Sequence, residues 1–152
     1  MATFAGNALP SDRLAVAPRF EVELGGSIVA TFSECSGLGV TIQTEKLEEG
    51  GVNHTTRKLP GRADFTNLVL KHGVTDSTDL FDWLMKVLNG EKVRQNVSIR
   101  VFNWEPSGGG LSEMVSWQFA NAFPVKWTGP TLQTTSNTVA VETLELAHDG
   151  FV

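Results

Sequence analysis

The sequence predicts a mainly β protein: a small antiparallel β-barrel or two-sheet sandwich with one flanking α-helix. Three observations predict it. Short apolar/polar alternations recur in RFEVELG, VTIQTE, FTNLVLKHG, VSIRVFNW, EMVSWQF and TVAVETLELAH. Turn residues separate them, among them Gly25-Gly26, Pro60-Gly61 and the PSGGG run at 106–110. A single segment carries helical period. Period-two alternation marks a half-buried strand, and about seven such strands on short turns close into a barrel or pack as two sheets.

Each element follows from its residues. Residues 1–18 mix Ala, Pro, Gly and Asp without period and read as an N-terminal arm ahead of one β domain over 19–152. In RFEVELG, Phe20, Val22 and Leu24 point one way and Arg19, Glu21 and Glu23 the other. Gly25-Gly26 turns the chain, and Ile28, Ala30 and Phe32 continue as the partner strand. SECSGLG breaks the pattern before VTIQTE resumes it. The polar run KLEEGGVNHTTRKLPG, residues 46–61, reads as a long hairpin or protruding loop closed by Pro60-Gly61. Beyond it, Leu68 and Leu70 share a face.

STDLFDWLMKVLNG is the helix. Ser77 serves as N-cap, Asp79 sits where the dipole favours it, and Gly90 stops the helix. Leu80, Trp83, Leu84, Val87 and Leu88 form its apolar stripe. Val97, Ile99 and Val101 alternate in the next strand, and Val115, Trp117 and Phe119 return on one face after the 106–110 loop. Residues 120–124 then turn the chain, with Pro124 ending regular pairing. In the last strand the apolar phase switches between Val141 and Leu144, which predicts a bulge or sharp twist. This strand carries neither Lys nor Pro and reads as an unguarded edge.

Composition narrows the function. The chain has 152 residues, enough for one core without a disulfide or metal staple. Net charge is −5 and the basic residues are scattered, which argues against nucleic acid as a sequence-specific partner. The single Cys35 forms no internal disulfide, so a cytoplasmic folding compartment is expected. The opening residues lack the basic-then-apolar pattern of a secretory signal, and no apolar run approaches the ~20 residues of a membrane anchor.

A catalytic constellation is missing from the pattern. His54, His72 and His148 have no second ligand at metal spacing. Cys35 lacks a readable base and orienting partner, so a small buried thiol is expected. Glu48 and Glu49 are adjacent, and neighbours on an extended chain point to opposite faces. The glycines at 108–110 lack the Lys-Ser/Thr of a phosphate loop. No catalytic residue, cofactor or metal is therefore expected, and the chain does not read as an enzyme.

One stretch, WQFANAFPVKWTGP at 117–130, followed by SNTVAVETLELAHDGF, closely resembles the C-terminal half of contractile tail tube proteins. These are the phage tail tube proteins and the inner tube proteins of extracellular contractile injection systems. FEVELGG, FSECSGL, EEGGVNHTTRKLPG and FTNLVLKHGVTDSTDLFDWL match the family in the same order, so the resemblance covers about residues 19–152. It implies a fold like that of the type VI secretion ring protein. It also implies six-membered rings stacked into a hollow tube, inside a contractile sheath and between baseplate or hub and tube-cap proteins. Cargo would occupy the lumen. Assembly in the cytoplasm and possible release within a phage-tail-like particle follow from the same likeness.

For such a protein the site is a subunit interface. The candidates are Glu48, Glu49, Gly50, Gly51, Asn53, Arg57, Lys58, Leu59 and Pro60 in the protruding loop, with Trp127 in the aromatic segment. The loop carries both signs, so like molecules could meet head to tail. Channel-facing candidates are Gln43, Thr44 and Ser98, or Arg100 on the opposite phase. The alternative is a monomeric β-sandwich binding module with protected edges.

Overall fold

Alternation does set the strands. The computed structural model describes residues 19–30, 32–51, 54–74, 78–105, 110–135, 137 and 139–152, and the expected arm over 1–18 lies outside them. The described residues form β1 (Arg19–Leu24), β2 (Ser27–Ala30), β3 (Glu34–Ser36), β4 (Val40–Leu47), β5 (Arg57–Phe65), β6 (Leu68–Gly73), α1 (Asp79–Leu88), β7 (Gln95–Glu105), β8 (Gly110–Thr128) and β9 (Val141–Ala147). Two strands exceed the expected seven. They are β3, inside SECSGLG, and β5, whose first residues fall in the expected loop.

Seven strands make one antiparallel sheet in the order β2-β1-β7-β8-β9-β6-β3, while β4 and β5 pair only with each other. The expected antiparallel β fold with one flanking helix is found, and among the described residues the strand order does not close, so β2 and β3 are its edges. Strand β9, expected at an edge, lies between β8 and β6.

The long strand β8 folds the sheet over. Its residues 110–122 pair with β7 and its residues 123–128 with β9. At the changeover Asn121 adopts φ 53°, which short polar side chains tolerate. Asn121 is held by its backbone N–H donating to Asn96 Oδ1 at 3.2 Å and its side-chain amide donating to Asp149 Oδ2 at 3.0 Å. The expected turn at 120–124 is therefore a change of partners within one strand. Pro124 faces Leu146, and its missing N–H falls beside the register shift before Lys126.

The two halves enclose one core of Val22, Leu24, Phe32, Leu68, Leu70, Trp83, Val97, Ile99, Phe119, Ala122, Leu144 and Leu146. Burying each large apolar side chain here contributes about 1.5–3 kcal/mol. Helix α1 covers one flank through Trp83, whose indole N–H donates to the Val93 carbonyl at 3.0 Å. Thr78 occupies the N-cap position, and the expected Ser77 lies outside the described residues. Gly90 (φ 86°) ends the helix as foreseen: its N–H bonds to Val87 O and that of Glu91 to Lys86 O. No helix among the described residues is long and apolar enough to cross a membrane.

The expected bulge between Val141 and Leu144 is absent from the β6–β9 ladder, which runs in register from Gly73↔Val141 to Leu68↔Leu146. The apparent phase switch has another cause. Glu142 sits in the inward phase, directly opposite the buried His72, with His72 Nε2 3.3 Å from Glu142 Oε2. The other ring nitrogen lies 2.7 Å from Gly73 O. A polar pair occupies a position that alternation reserves for an apolar one.

Candidate functional site

The ribbon β4–β5 leaves the body at a fixed base. Gly37 turns there with φ 82°, and a Cβ at that position would collide with the Asn67 carbonyl oxygen. The Thr66 N–H and hydroxyl both donate to Gly39 O, at 3.1 and 3.2 Å, joining the two strands where they depart. His148 Nε2 donates to Thr66 O at 2.9 Å, while its Nδ1 accepts from the Gly150 N–H at 3.1 Å. Those two bonds assign the proton to Nε2. The Phe65 ring packs edge-on to Phe151 at 5.7 Å.

Beyond this base the ribbon stands unaccompanied. Every residue of β4 and β5 except Phe65 is exposed, and among the described residues neither strand pairs with a third. Both outer edges therefore present unsatisfied N–H and C=O groups. An isolated two-stranded ribbon is only marginally stable in water.

The register places the predicted residues. Leu47 faces Arg57, Lys46 faces Lys58, Glu45 faces Leu59 and Thr44 faces Pro60. Arg57, Lys58, Leu59 and Pro60 thus belong to β5, and the expected loop over 46–61 contracts to residues 48–56. Pro60 and Gly61 do not close a loop. They lie where β5 carries an extra residue between Thr44↔Pro60 and Ile42↔Ala63, a bulge that accommodates the missing proline N–H.

Glu48, Glu49, Gly50 and Gly51 form the tip, and Asn53 lies outside the described residues. Glu49 and Arg57 meet at 3.2 Å, both exposed. Such a pair is worth about 0–1 kcal/mol in water. Trp127 is not part of the ribbon. It sits on β8 with its ring edge-on to Phe81 of α1 at 5.6 Å.

Sequence reasoning missed a second surface. Leu88, expected in the core stripe, is 68% exposed. Phe81 and Met85 are exposed as well, and with Leu88 they follow i, i+4, i+7 spacing on one helix face. A surface helix needs an apolar stripe of only about 100°. Here apolar residues continue past the core-facing arc of the buried Trp83 and the half-buried Val87. The signal was legible in Phe81 and Met85, which fall outside the core-facing stripe. Val40 and Ile42 on β4 are likewise exposed, and alternation puts both on the face that carries Lys46.

The channel-facing candidates need one correction. Ser98 and Arg100 are two apart on β7, so they share the face opposite the buried Val97 and Ile99. Arg100 is tied there to Glu23 at 2.6 Å.

Burial pushes the Cys35 thiol up to about 11, the reverse of nucleophile activation. Among the described residues no three of His, Cys, Asp and Glu converge as a metal site. The arrangement offers unsatisfied strand edges and exposed apolar faces, which are the means of association.

Known structures share this architecture. A type six secretion system protein superposes with a TM-score of 0.56 at 12% identity, covering 87% of this chain and 80% of that one, a likeness of fold alone. A chain of the sheath–tube complex of the PVC extracellular contractile injection system, in its extended state, is 29% identical with a TM-score of 0.78, covering 93% of this chain and 92% of that one. A chain of the tube-terminating cap of the anti-feeding prophage is 28% identical with a TM-score of 0.77, covering 100% and 97%. No curated protein sequence matches. The family model of the T4-like virus tail tube protein gp19 matches residues 16–152, and the chain belongs to that family. It is a structural tube protein.

Proposed function

We propose that copies of this tube protein join edge to edge into six-membered rings, and that the rings stack around an open channel. The observation that carries this reading is the β4–β5 ribbon, exposed along its length and, among the described residues, unpaired on both edges. A neighbour's strand would satisfy those backbone groups and extend the sheet round a closed circle. A monomeric binding module would gain nothing from leaving them open.

Glu48, Glu49, Gly50, Gly51, Arg57, Lys58, Leu59 and Pro60 take part through the ribbon. Trp127 acts from the helix side. A contractile sheath surrounds the tube, with baseplate or hub and cap proteins at its ends. The similar PVC and anti-feeding prophage chains, drawn from a sheath–tube complex and a tube cap, support the sheath and cap contacts. The tube is a conduit for cargo, without catalysis of its own. It assembles in the cytoplasm and becomes part of a phage-tail-like particle.

Electron microscopy of concentrated protein, alone and with its sheath and baseplate proteins, tests this. Annular end views with sixfold symmetry are expected. Folded monomers under every one of those conditions would sink the reading.

A further inference from the structure

Among the described residues two apolar surfaces of this chain are left open, and their chemistry is complementary. The first is the outer face of α1. Phe81, Met85 and Leu88 line it in consecutive turns, and Trp127 extends it onto β8. Asp82 lies one turn before Met85, with Asp79 beside it, so an acidic strip borders the apolar face.

The second is one face of the ribbon. Val40 and Ile42 give it an apolar base, and Lys46 and Lys58 stand directly opposite each other nearer the tip. Like charges directly across a ladder are destabilising unless something acidic meets them. Contiguous exposed apolar surface in turn marks a place where another molecule sits.

The geometry points to one occupant for both: the Lys46/Lys58 face of the ribbon seats on the α1 face of a second copy. Val40 and Ile42 cover Phe81, Met85 and Leu88, and the lysine pair meets Asp82. This rests on the self-assembly reading above and specifies which surfaces meet. The contact is heterologous, since donor and acceptor patches differ, and repeating it propagates an assembly rather than ending in a dimer. It uses a face of the ribbon, leaving the edges for strand pairing.

The test compares wild-type protein with Leu88→Glu, Lys58→Glu, Asp82→Lys and the double variant Lys58→Glu/Asp82→Lys. Assembled fraction is read by sedimentation and electron microscopy, and folding by circular dichroism melting. All three replaced side chains are exposed, so the folds should survive. Leu88→Glu is expected to cut assembly at least tenfold. Each single charge reversal should weaken assembly, and the double variant should recover most of it.

Tubes from Leu88→Glu at wild-type yield would overturn the inference and leave the tube reading standing. So would normal Leu88→Glu tubes that fail only to bind sheath, because the occupant would then be the sheath. A double variant no better than its single parents removes the lysine–Asp82 contact. Wild-type protein that never assembles defeats the tube reading itself, and this inference with it.

Discussion

In the body, strands β1, β7, β8, β9 and β6 each have a hydrogen-bonded neighbour on both sides and bury their inward residues in a common core. In the ribbon, β4 and β5 have only each other and bury little beyond Phe65. Between its edge strands β2 and β3 the body is a completed fold by the usual accounting of backbone bonds and apolar area. The ribbon is complete only at its base, where Thr66, His148 and Phe151 hold it. One chain thus separates the residues that make it fold from the residues that make it assemble, and substitutions should sort accordingly.

Phe119→Ala is expected to give the largest loss of folding stability. The ring is 1% exposed and packs against His148 at 4.6 Å and Phe151 at 5.3 Å. Removing such a buried aromatic costs about 3–5 kcal/mol. Chemical denaturation of the monomeric form would measure it. A loss under about 1 kcal/mol would mean that the core collapses around the gap and that the body is far more plastic than its packing implies.

Glu142→Ala should come next, at about 1–3 kcal/mol, since it leaves Nε2 of the buried His72 without the carboxylate that lies 3.3 Å from it. The figure stays below that for a fully buried pair because Glu142 keeps a quarter of its side chain exposed. Glu142→Gln, which retains an acceptor, is expected to recover more than half of the loss. Equal losses for Ala and Gln would show that charge, not hydrogen bonding, holds the pair.

The same pair explains where the sequence misled. Leu68, Leu70, Val97, Ile99 and Phe119 declared their strands because alternation and burial coincide there. Glu142 broke the pattern, since its partner His72 is remote in sequence and invisible to periodicity. Strand β3 is three residues long, too short to alternate, and exists because Glu34, Cys35 and Ser36 pair with Lys71, Leu70 and Val69. Pro60 read as a loop end because proline inside a strand is rare, and only the register reveals the bulge that admits it.

The candidate site was legible as a region and not as a geometry. The mixed charges and glycines of 46–61 marked a projecting element. Its strand edges and the exposed face of α1 are properties of tertiary placement, which Leu88 illustrates: helical spacing alone assigned it to the core.

Cys35 should have a smaller effect, confined to alkaline solution. Burial holds the folded thiol neutral up to about pH 11, whereas its ordinary value is 9.0. The unfolded chain therefore releases this proton first as pH rises. The contribution to stability is complete below pH 9 and falls away between pH 9 and about 11. Comparing Cys35→Ala with wild type, the alanine variant should lose less stability across that window. Parallel curves would mean that the thiol is open to solvent and would weaken the assignment of β3 to the body.

The smallest effect on folding, and the sharpest test of the comparison, is expected from Leu59→Asp. Leu59 lies on the ribbon opposite Glu45 and is exposed, so the monomer loses almost no buried area. Surface changes of this kind fall within about ±0.5 kcal/mol. The added carboxylate meets Glu45 across the ladder, a repulsion that exposure to water keeps small. Any surface that a second copy lays over Leu59 would instead have to bury this charge or leave it out, and both outcomes oppose assembly. The expected result is an unchanged melting curve with rings and tubes lost in electron micrographs. Were melting and assembly to fall together, the ribbon would belong to the folding unit and the division between the two regions would fail.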